Sequence, residues 1–209
     1  MHTLNPKEIL DYLSDKPYVV EEMKTIHFSA DFHHSHTKII EICNRPTTPE
    51  EHDDWLVKEV INKYVQRKHT LYIMGDVSMA KKSEADKFVD RLNGNKVLIL
   101  GNHDKNLEHS TRFSQITQIK DFTYSKDGLN IHICCCHYPL ASWNRKIYGS
   151  WNAFGHCHGR FKNAGLSYDV GIDNREFLEH WCKPINLYEL CEIMCKKYLT
   201  IEDWNKQPL

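Results

Sequence analysis

No apolar run in this chain of 209 residues approaches the length of a membrane span, which excludes a helical membrane protein. An excess of charge is missing too: 27 Lys and Arg stand against 28 Asp and Glu, a net charge of −1. Binding along a nucleic-acid backbone needs clustered basic residues, so a stable nucleic-acid complex is not expected, while small phosphorylated ligands stay open. No CxxC pair occurs among the eight cysteines. Three of them are consecutive in IHICCCHYP, and neighbours on a strand point to opposite faces, so they do not make a bridge framework. Reduced thiols in a reducing compartment are expected. The start, MHTLNPKEILDYLSDK, lacks the basic region and apolar core of a signal peptide, and the expectation is a soluble cytoplasmic protein. There is no internal repeat, low-complexity tract or linker. One domain over residues 1–209 is expected, with a helical extension over 1–23 and a closing helix over 184–199.

What is present begins with alternating elements. PKEILDYLSD suggests a short amphipathic helix and TIHFSA (25–30) a strand. TPEEHDDWLVKEVINKYVQ predicts a helix over 48–66, with Thr48 as N-cap, Pro49 at the first position and Glu51 completing a capping box. TLYIMG (70–75) reads as a strand, SEADKFVDRLN as a helix capped by Ser83, and KVLIL as a strand again. Strands alternating with helices imply parallel pairing. The second half has strand-like LNIHICCC, SWNAFG and LSYDVG with little helix, and PINLYELCEIMCKKY closes the chain as a helix. The fold class predicted is therefore mixed α/β, a sandwich and not a clean doubly wound sheet.

The polar residues fall at the ends of these strands. Asp31 and His33 follow HFSA, Asp76 follows LYIMG, Asn102 and His103 follow VLILG, His137 follows IHICCC, and His156 and His158 follow WNAFG. Five independent turns would not so regularly end in oxygen and nitrogen ligands, and in α/β sheets sites gather beyond the carboxyl ends of strands. In an extended backbone, residues two apart project to one side, so Asp31 and His33 are expected to grip one ion and His156 and His158 to straddle a pair. The donor set suits borderline metals such as Mn, Fe, Zn, Co or Ni and is too rich in His for calcium.

Taken in order, DFHHSH, GD, GNHD, CHYP and GHCHG resemble the motif set of the calcineurin-like metallophosphoesterases. The surrounding CNRP, HYPLASWN, GSWNAFGHCHG and YDVGID resemble a small bacterial and phage branch of that superfamily, and the resemblance runs from about Thr25 to Asp173. It implies a two-sheet sandwich flanked by helices and a site for two divalent transition-metal ions, Mn foremost, with Fe, Zn, Ni or Co as alternatives. Asp31, His33, Asp76 and His158 would hold one ion, and Asp76, Asn102, His137 and His156 the other, Asp76 bridging. His103 would be no ligand but a general acid or charge stabiliser, oriented by Asp104. In such sites ions about 3.5–4 Å apart share a water, make a bridging hydroxide of it and clamp the phosphate for in-line attack. Imidazole changes charge near neutral pH, which suits His103 to protonate the leaving oxygen. Where some members carry an acidic residue soon after GD, this chain has GDVSMA, which leaves support of the metals from that position open.

Contacts to substrate are less constrained. His36 matches a polar position of the first motif and can touch substrate or solvent, while His34 reads as surface. Arg45 and Arg160 have the fork geometry for phosphate oxygens, and a plain salt bridge serves either equally. Trp143 and Asn144 can line a base or sugar pocket or pack in the core. Asp169 and Asp173 act on substrate or fix a turn. Cys157 should point away from the metals, and Cys191 and Cys195, four apart, read as the buried face of the last helix. The function expected is a phosphodiesterase on a small nucleotide-like substrate, with phosphomonoesterase or nuclease as alternatives. A non-catalytic metal-dependent binding protein on the same fold would usually have lost the bridging Asp or the non-ligand His, and Asp76 and His103 are both present. A structural zinc site would have four closed ligands, often with Cys, and seven ligands without Cys are too many.

Overall fold

The computed structural model describes residues 4–161, 165–176 and 182–200. Its strands in chain order are β1 (Ile26–Ser29), β2 (Thr70–Ile73), β3 (Asn95–Ile99), β4 (Gln115–Thr117), β5 (Ile119–Lys126), β6 (Leu129–Cys136), β7 (Trp151–Phe154), β8 (Ser167–Asp169) and β9 (Ile185–Asn186). Its helices are α1 (Pro6–Leu13), α2 (Pro17–Met23), α3 (Lys38–Cys43), α4 (His52–Trp55), α5 (Lys82–Arg91) and α6 (Leu187–Thr200). The first sheet has the order β4-β3-β2-β1-β9, parallel except for the antiparallel edge strand β9. The second has the order β5-β6-β7-β8, an antiparallel hairpin continued by two parallel strands. This is a mixed α/β sandwich flanked by helices.

The strands of the first sheet are apolar on both faces because both are covered. Leu71, Ile73 and Leu98 face a helical layer carrying Leu56, Ile61, Phe88 and Val89. Phe28, Val97 and Ile99 face the second sheet and meet Ile131, Ile133, Trp151, Ala153 and Tyr168. α1, α2 and α6 add Ile9, Leu13, Val19, Met23, Leu190 and Met194 to this second core. Cys191 and Cys195 are buried on α6, and the eight cysteines are free thiols. α1 starts at a capping box: Asn5 Oδ1 accepts the Lys7 and Glu8 amides at 3.0 Å each, and Glu8 accepts the Asn5 amide at 2.8 Å.

Some local expectations are corrected. The helix predicted from Thr48 begins at His52, because Thr48 directs its hydroxyl to the Glu51 carboxylate at 3.3 Å and caps no amide. Its second half, Leu56–Ile61, widens to a π-helical ladder in which the Asn62 amide donates to Val57 O at 2.9 Å, and Leu56, Val57, Val60 and Ile61 are all buried. Ser83 does not cap α5, which starts one residue earlier, at Lys82. The strand β5 and the short helix α3 were not anticipated. β5 turns into β6 through Asp127-Gly128, both left-handed at φ 48° and 88°, the conformation a two-residue hairpin requires. The expected closing helix over 184–199 is preceded by β9 and runs from Leu187 to Thr200.

Candidate metal centre

The carboxyl ends of β1, β2, β3, β6 and β7 meet at one edge of the sandwich. Loop-to-loop hydrogen bonds lock them there: the Asp31 amide donates to Gly75 O at 3.0 Å, the His33 amide to Asp76 O at 2.9 Å and the Gly155 amide to His137 O at 3.0 Å. Gly75 and Gly101 allow this approach. A Cβ on Gly75 would lie 2.5 Å from the Gly101 nitrogen and 2.7 Å from His137 Nδ1. The backbone of the predicted ligands is not extended. Asp31, His33, Asp76, His156 and His158 all have positive φ, between 50° and 70°. The D-x-H and H-x-H pairs therefore converge through left-handed turns, and the extended-strand geometry expected from their spacing is wrong.

Six of the seven predicted ligands fall into two groups of three whose ligand atoms lie within 4.8 Å of one another: Asp31, His33 and His158, and Asp76, His137 and His156. Asp76 stands between them, with Oδ2 3.7 Å from His33 Nε2 and Oδ1 3.6 Å from His137 Nε2. The seventh, Asn102, has Oδ1 3.1 Å from His137 Nε2. His137 Nδ1–H donates to Met74 O at 2.6 Å, so neutral His137 carries a lone pair at Nε2. That lone pair and the oxygens of Asn102 and Asp76 converge as acceptors, although Asp76 Oδ1 also takes the His103 amide at 3.0 Å. On the other side His33 Nε2 faces His158 Nε2 at 3.3 Å. His158 Nδ1–H donates to Asp173 Oδ2 at 2.7 Å, which again leaves a lone pair at Nε2. Asp31 is fully buried, and among the described residues its carboxylate accepts the His156 amide alone, at 3.0 Å from each oxygen. Burial, then the nearby Asp169 carboxylate, pushes its carboxyl well above the usual range. Burial, then His158, pushes His33 down to about 2. Acceptors facing one another in this way, with Asp31, His33, Asp76 and His137 buried, are the setting a divalent cation fits.

The surrounding polar residues hold the loops. Asp104 does not orient the His103 ring. Its carboxylate accepts the amides of Asp76 (2.8 Å), Val77 (2.8 Å) and Gly101 (2.9 Å), and so fixes the loops after β2 and β3. The His103 amide donates to Asp76 Oδ1 at 3.0 Å, and its ring, 39% exposed, places Nε2 3.9 Å from Asp76 Oδ2. Arg45 is no phosphate ligand. It is buried and pairs with both oxygens of Asp173, at 2.9 and 2.7 Å. Burial alone would raise Asp173, but His158 and Arg45 outweigh it and hold the carboxyl at about 2. Asp169 fixes a turn by accepting the amides of Gly159 and Gly171, each at 2.8 Å. Cys43, His158 and Asp173 form a third close group, but the guanidinium on Asp173 already supplies the positive charge there.

The remaining predicted contacts divide. His36 belongs to the cluster, its ring 5.6 Å from that of His33. Arg160 donates to Ile42 O at 2.8 Å and lines a cleft of about 360 Å³ that also touches His158, Asp173 and Arg175. Trp143 and Asn144 lie elsewhere. Trp143 is buried and donates to Ser150 O at 3.0 Å, and Asn144 donates to the Asp121 carboxylate on β5 at 2.9 Å. His34 is not on the surface. It bonds Ser78 Oγ at 2.7 Å and Asp53 at 3.2 Å and stacks on Phe88. That bond gives the Ser of GDVSMA its work, pinning the loop after β2 to the loop after β1. The exposed Tyr138, next to His137, packs its ring 4.9 Å from that of His156 on the rim of the cluster.

Fold and site together define a two-sheet α/β protein with a His- and Asp-rich cluster at the strand ends. Its sequence is 32% identical over 139 residues to the uncharacterized protein MJ1445 of Methanocaldococcus jannaschii, spanning 65% of this chain and 70% of that protein. The chain belongs to the family of that protein. Over 85 residues it is 35% identical to the gene 66 protein of Mycobacterium phage L5, covering 39% of this chain and 41% of the phage protein. The crystal structure of AQ665, a protein of unknown function from Aquifex aeolicus, shares the fold: TM-score 0.56 over 80% of this chain and 98% of that one, at 22% identity. No family model matches the chain.

Proposed function

We propose that this chain is a metal-dependent hydrolase of phosphate esters, a calcineurin-like metallophosphoesterase acting on a small nucleotide-like phosphodiester. One observation carries the reading. His33 of one His/Asp group and His137 of the other face opposite oxygens of the Asp76 carboxylate, with the partly exposed His103 ring beside it. Asp31, His33, Asp76 and His158 would hold one divalent ion, and Asp76, Asn102, His137 and His156 the other. Mn, Fe, Zn, Co and Ni all suit this donor set. When bound, such ions would acidify a water and clamp phosphate oxygens.

The chain's own groups complete the chemistry. His103 is held by its backbone to Asp76 while its ring reaches solvent, where it would protonate the leaving oxygen. Tyr138 offers a flat wall on the rim, and the cleft beside His158 offers room for the rest of a small substrate. The preference for a diester follows from charge. A monoester brings a second negative charge and needs cations beyond the ions. Arg45 is committed to Asp173, and Arg145 lies with Asp121 and His132 beside the hairpin, in a separate hollow. Arg160 and Arg175, in the wall of the cleft, donate to the backbone carbonyls of Ile42 and Cys43. The test is steady-state hydrolysis of bis-(p-nitrophenyl) phosphate and p-nitrophenyl phosphate by manganese-loaded protein. The diester is expected to turn over faster. A clear monoester preference refutes the diester reading, and no turnover of any phosphate ester refutes the enzyme.

A further inference from the structure

We propose that Arg45 and Asp173 form a positioning unit for one ion position, the one held by Asp31, His33 and His158, and that the other position stands without them. The inference rests on the two-metal reading above. Arg45 spends all five of its N–H groups on the back of this position. Nε and one Nη2 hydrogen go to the Asp173 carboxylate at 2.9 and 2.7 Å, and the other Nη2 hydrogen goes to Asp31 O at 2.6 Å. The two Nη1 hydrogens go to Phe32 O at 2.7 Å and His52 Nε2 at 2.9 Å. One planar group thus grips the turn that carries Asp31 and His33 and, 128 residues along the chain, the carboxylate that orients His158.

Asp173 completes the unit. Its Oδ2 accepts the hydrogen bond of His158 Nδ1–H at 2.7 Å and so aims Nε2 at His33. A carboxylate behind a metal-binding His fixes its tautomer and ring orientation, and losing such a partner typically costs about 10–100-fold in metal affinity. The second position is built differently. His137 is oriented by a backbone carbonyl, Met74 O, and the Asp76 loop by Asp104. Nothing in that half touches Arg45 or Asp173 among the described residues. Breaking the unit should therefore weaken one ion selectively.

The experiment loads wild type, Asp173→Ala, Asp173→Asn and His137→Ala with Mn²⁺ and reads metal content and the electron paramagnetic resonance spectrum. Asp173→Asn keeps the volume of the side chain and guards against misfolding, which circular dichroism checks. Wild type is expected to hold two ions with an exchange-coupled spectrum. The Asp173 variants should hold one, uncoupled, with affinity for the other down about 10–100-fold. His137→Ala should lose the opposite ion. Both ions retained at wild-type affinity in the Asp173 variants, or both weakened in parallel as general destabilisation would produce, overturns the proposal. Fewer than two ions in wild type refutes the two-metal reading instead. In that event ¹⁵N resonances of metal-free protein still decide whether Asp173 orients His158: the Nδ1–H tautomer should dominate in wild type and be lost in Asp173→Asn, and an unchanged tautomer overturns the positioning role.

Discussion

Acid should unfold this protein partly through a histidine pair far from the His/Asp cluster, at the amino ends of β1 and β2. His27 is 4% exposed, and its Nε2 lies 3.0 Å from His69 Nδ1. His69 Nδ1 also accepts the Gln66 amide at 3.2 Å, so it carries a lone pair and His27 Nε2 carries the proton. His27 Nδ1 is then a buried lone pair with no partner, and protonating it would bury a charge with no acceptor. Burial, then the neighbouring His69, pushes His27 down to about 4. The unfolded chain takes up its proton near pH 6.5, so between pH 6.5 and 4 it binds more protons than the folded one. Stability is whole above pH 6.5 and falls as pH drops toward 4. At about 1.4 kcal/mol per pH unit, the loss from this group is about 2 kcal/mol by pH 5 and about 3 below pH 4. Urea denaturation of chelator-treated wild type and His27→Phe at pH 7.5 and pH 5 measures it. Wild type should lose about 2 kcal/mol more than the variant over that interval. Equal losses would show that His27 titrates normally in the folded protein and would refute the reasoning.

Other outcomes follow from the cluster. Asp76→Ala should lose both ions, because its two oxygens face the two halves, and elemental analysis finding two tightly held ions would exclude the bridge. His103→Ala should keep both ions and lose about 10²–10⁴-fold in turnover, most for poor leaving groups. An equal loss for activated aryl esters would assign His103 to ground-state positioning. Gly101→Ala should cost about 1–3 kcal/mol and weaken both ions, since its Cβ would sit 2.6 Å from the Asp76 nitrogen. A thermal melt and metal content matching wild type would contradict that packing.

Much of this architecture could be read from residue order alone. The parallel strands and the gathering of Asp31, His33, Asp76, Asn102, His137, His156 and His158 were visible because each of these residues follows an apolar run. Burial of both faces leaves such runs unbroken, and the polar residues mark where they stop. β5 was missed although its alternation and the Asp127-Gly128 turn were present, because its polar outer face makes it a weak apolar signal. Arg45, Asp173 and His34 were misread or left open for another reason. A buried ion pair joins residues remote in sequence, and neither member shows its partner locally. A signal for Arg45 existed only in retrospect, in the number of acceptors a buried guanidinium must find.

The backbone of the cluster was the least legible feature and carries the most physical weight. Left-handed conformation at a residue with a Cβ costs about 1–3 kcal/mol and persists only where the surroundings impose it. Here five proposed ligands adopt it together. The imposing contacts are identifiable: Asp104 on three amides, Arg45 on the Asp31 and Phe32 carbonyls, Asp169 on the Gly159 and Gly171 amides, and Gly75 against Gly101. The Asp104, Arg45 and Asp169 contacts each place a hydrogen-bonded side chain behind the cluster. The strain and the unmatched acceptors are thus one design. Helical or extended backbone would be cheaper, but it would not turn imidazole and carboxylate lone pairs toward two common points. A cation at those points would offset both costs at once, by pairing the lone pairs and by restoring the charge on Asp31 that burial and Asp169 oppose. Saturating Mn²⁺ should accordingly raise the melting temperature of wild type and leave that of Asp76→Ala nearly unchanged.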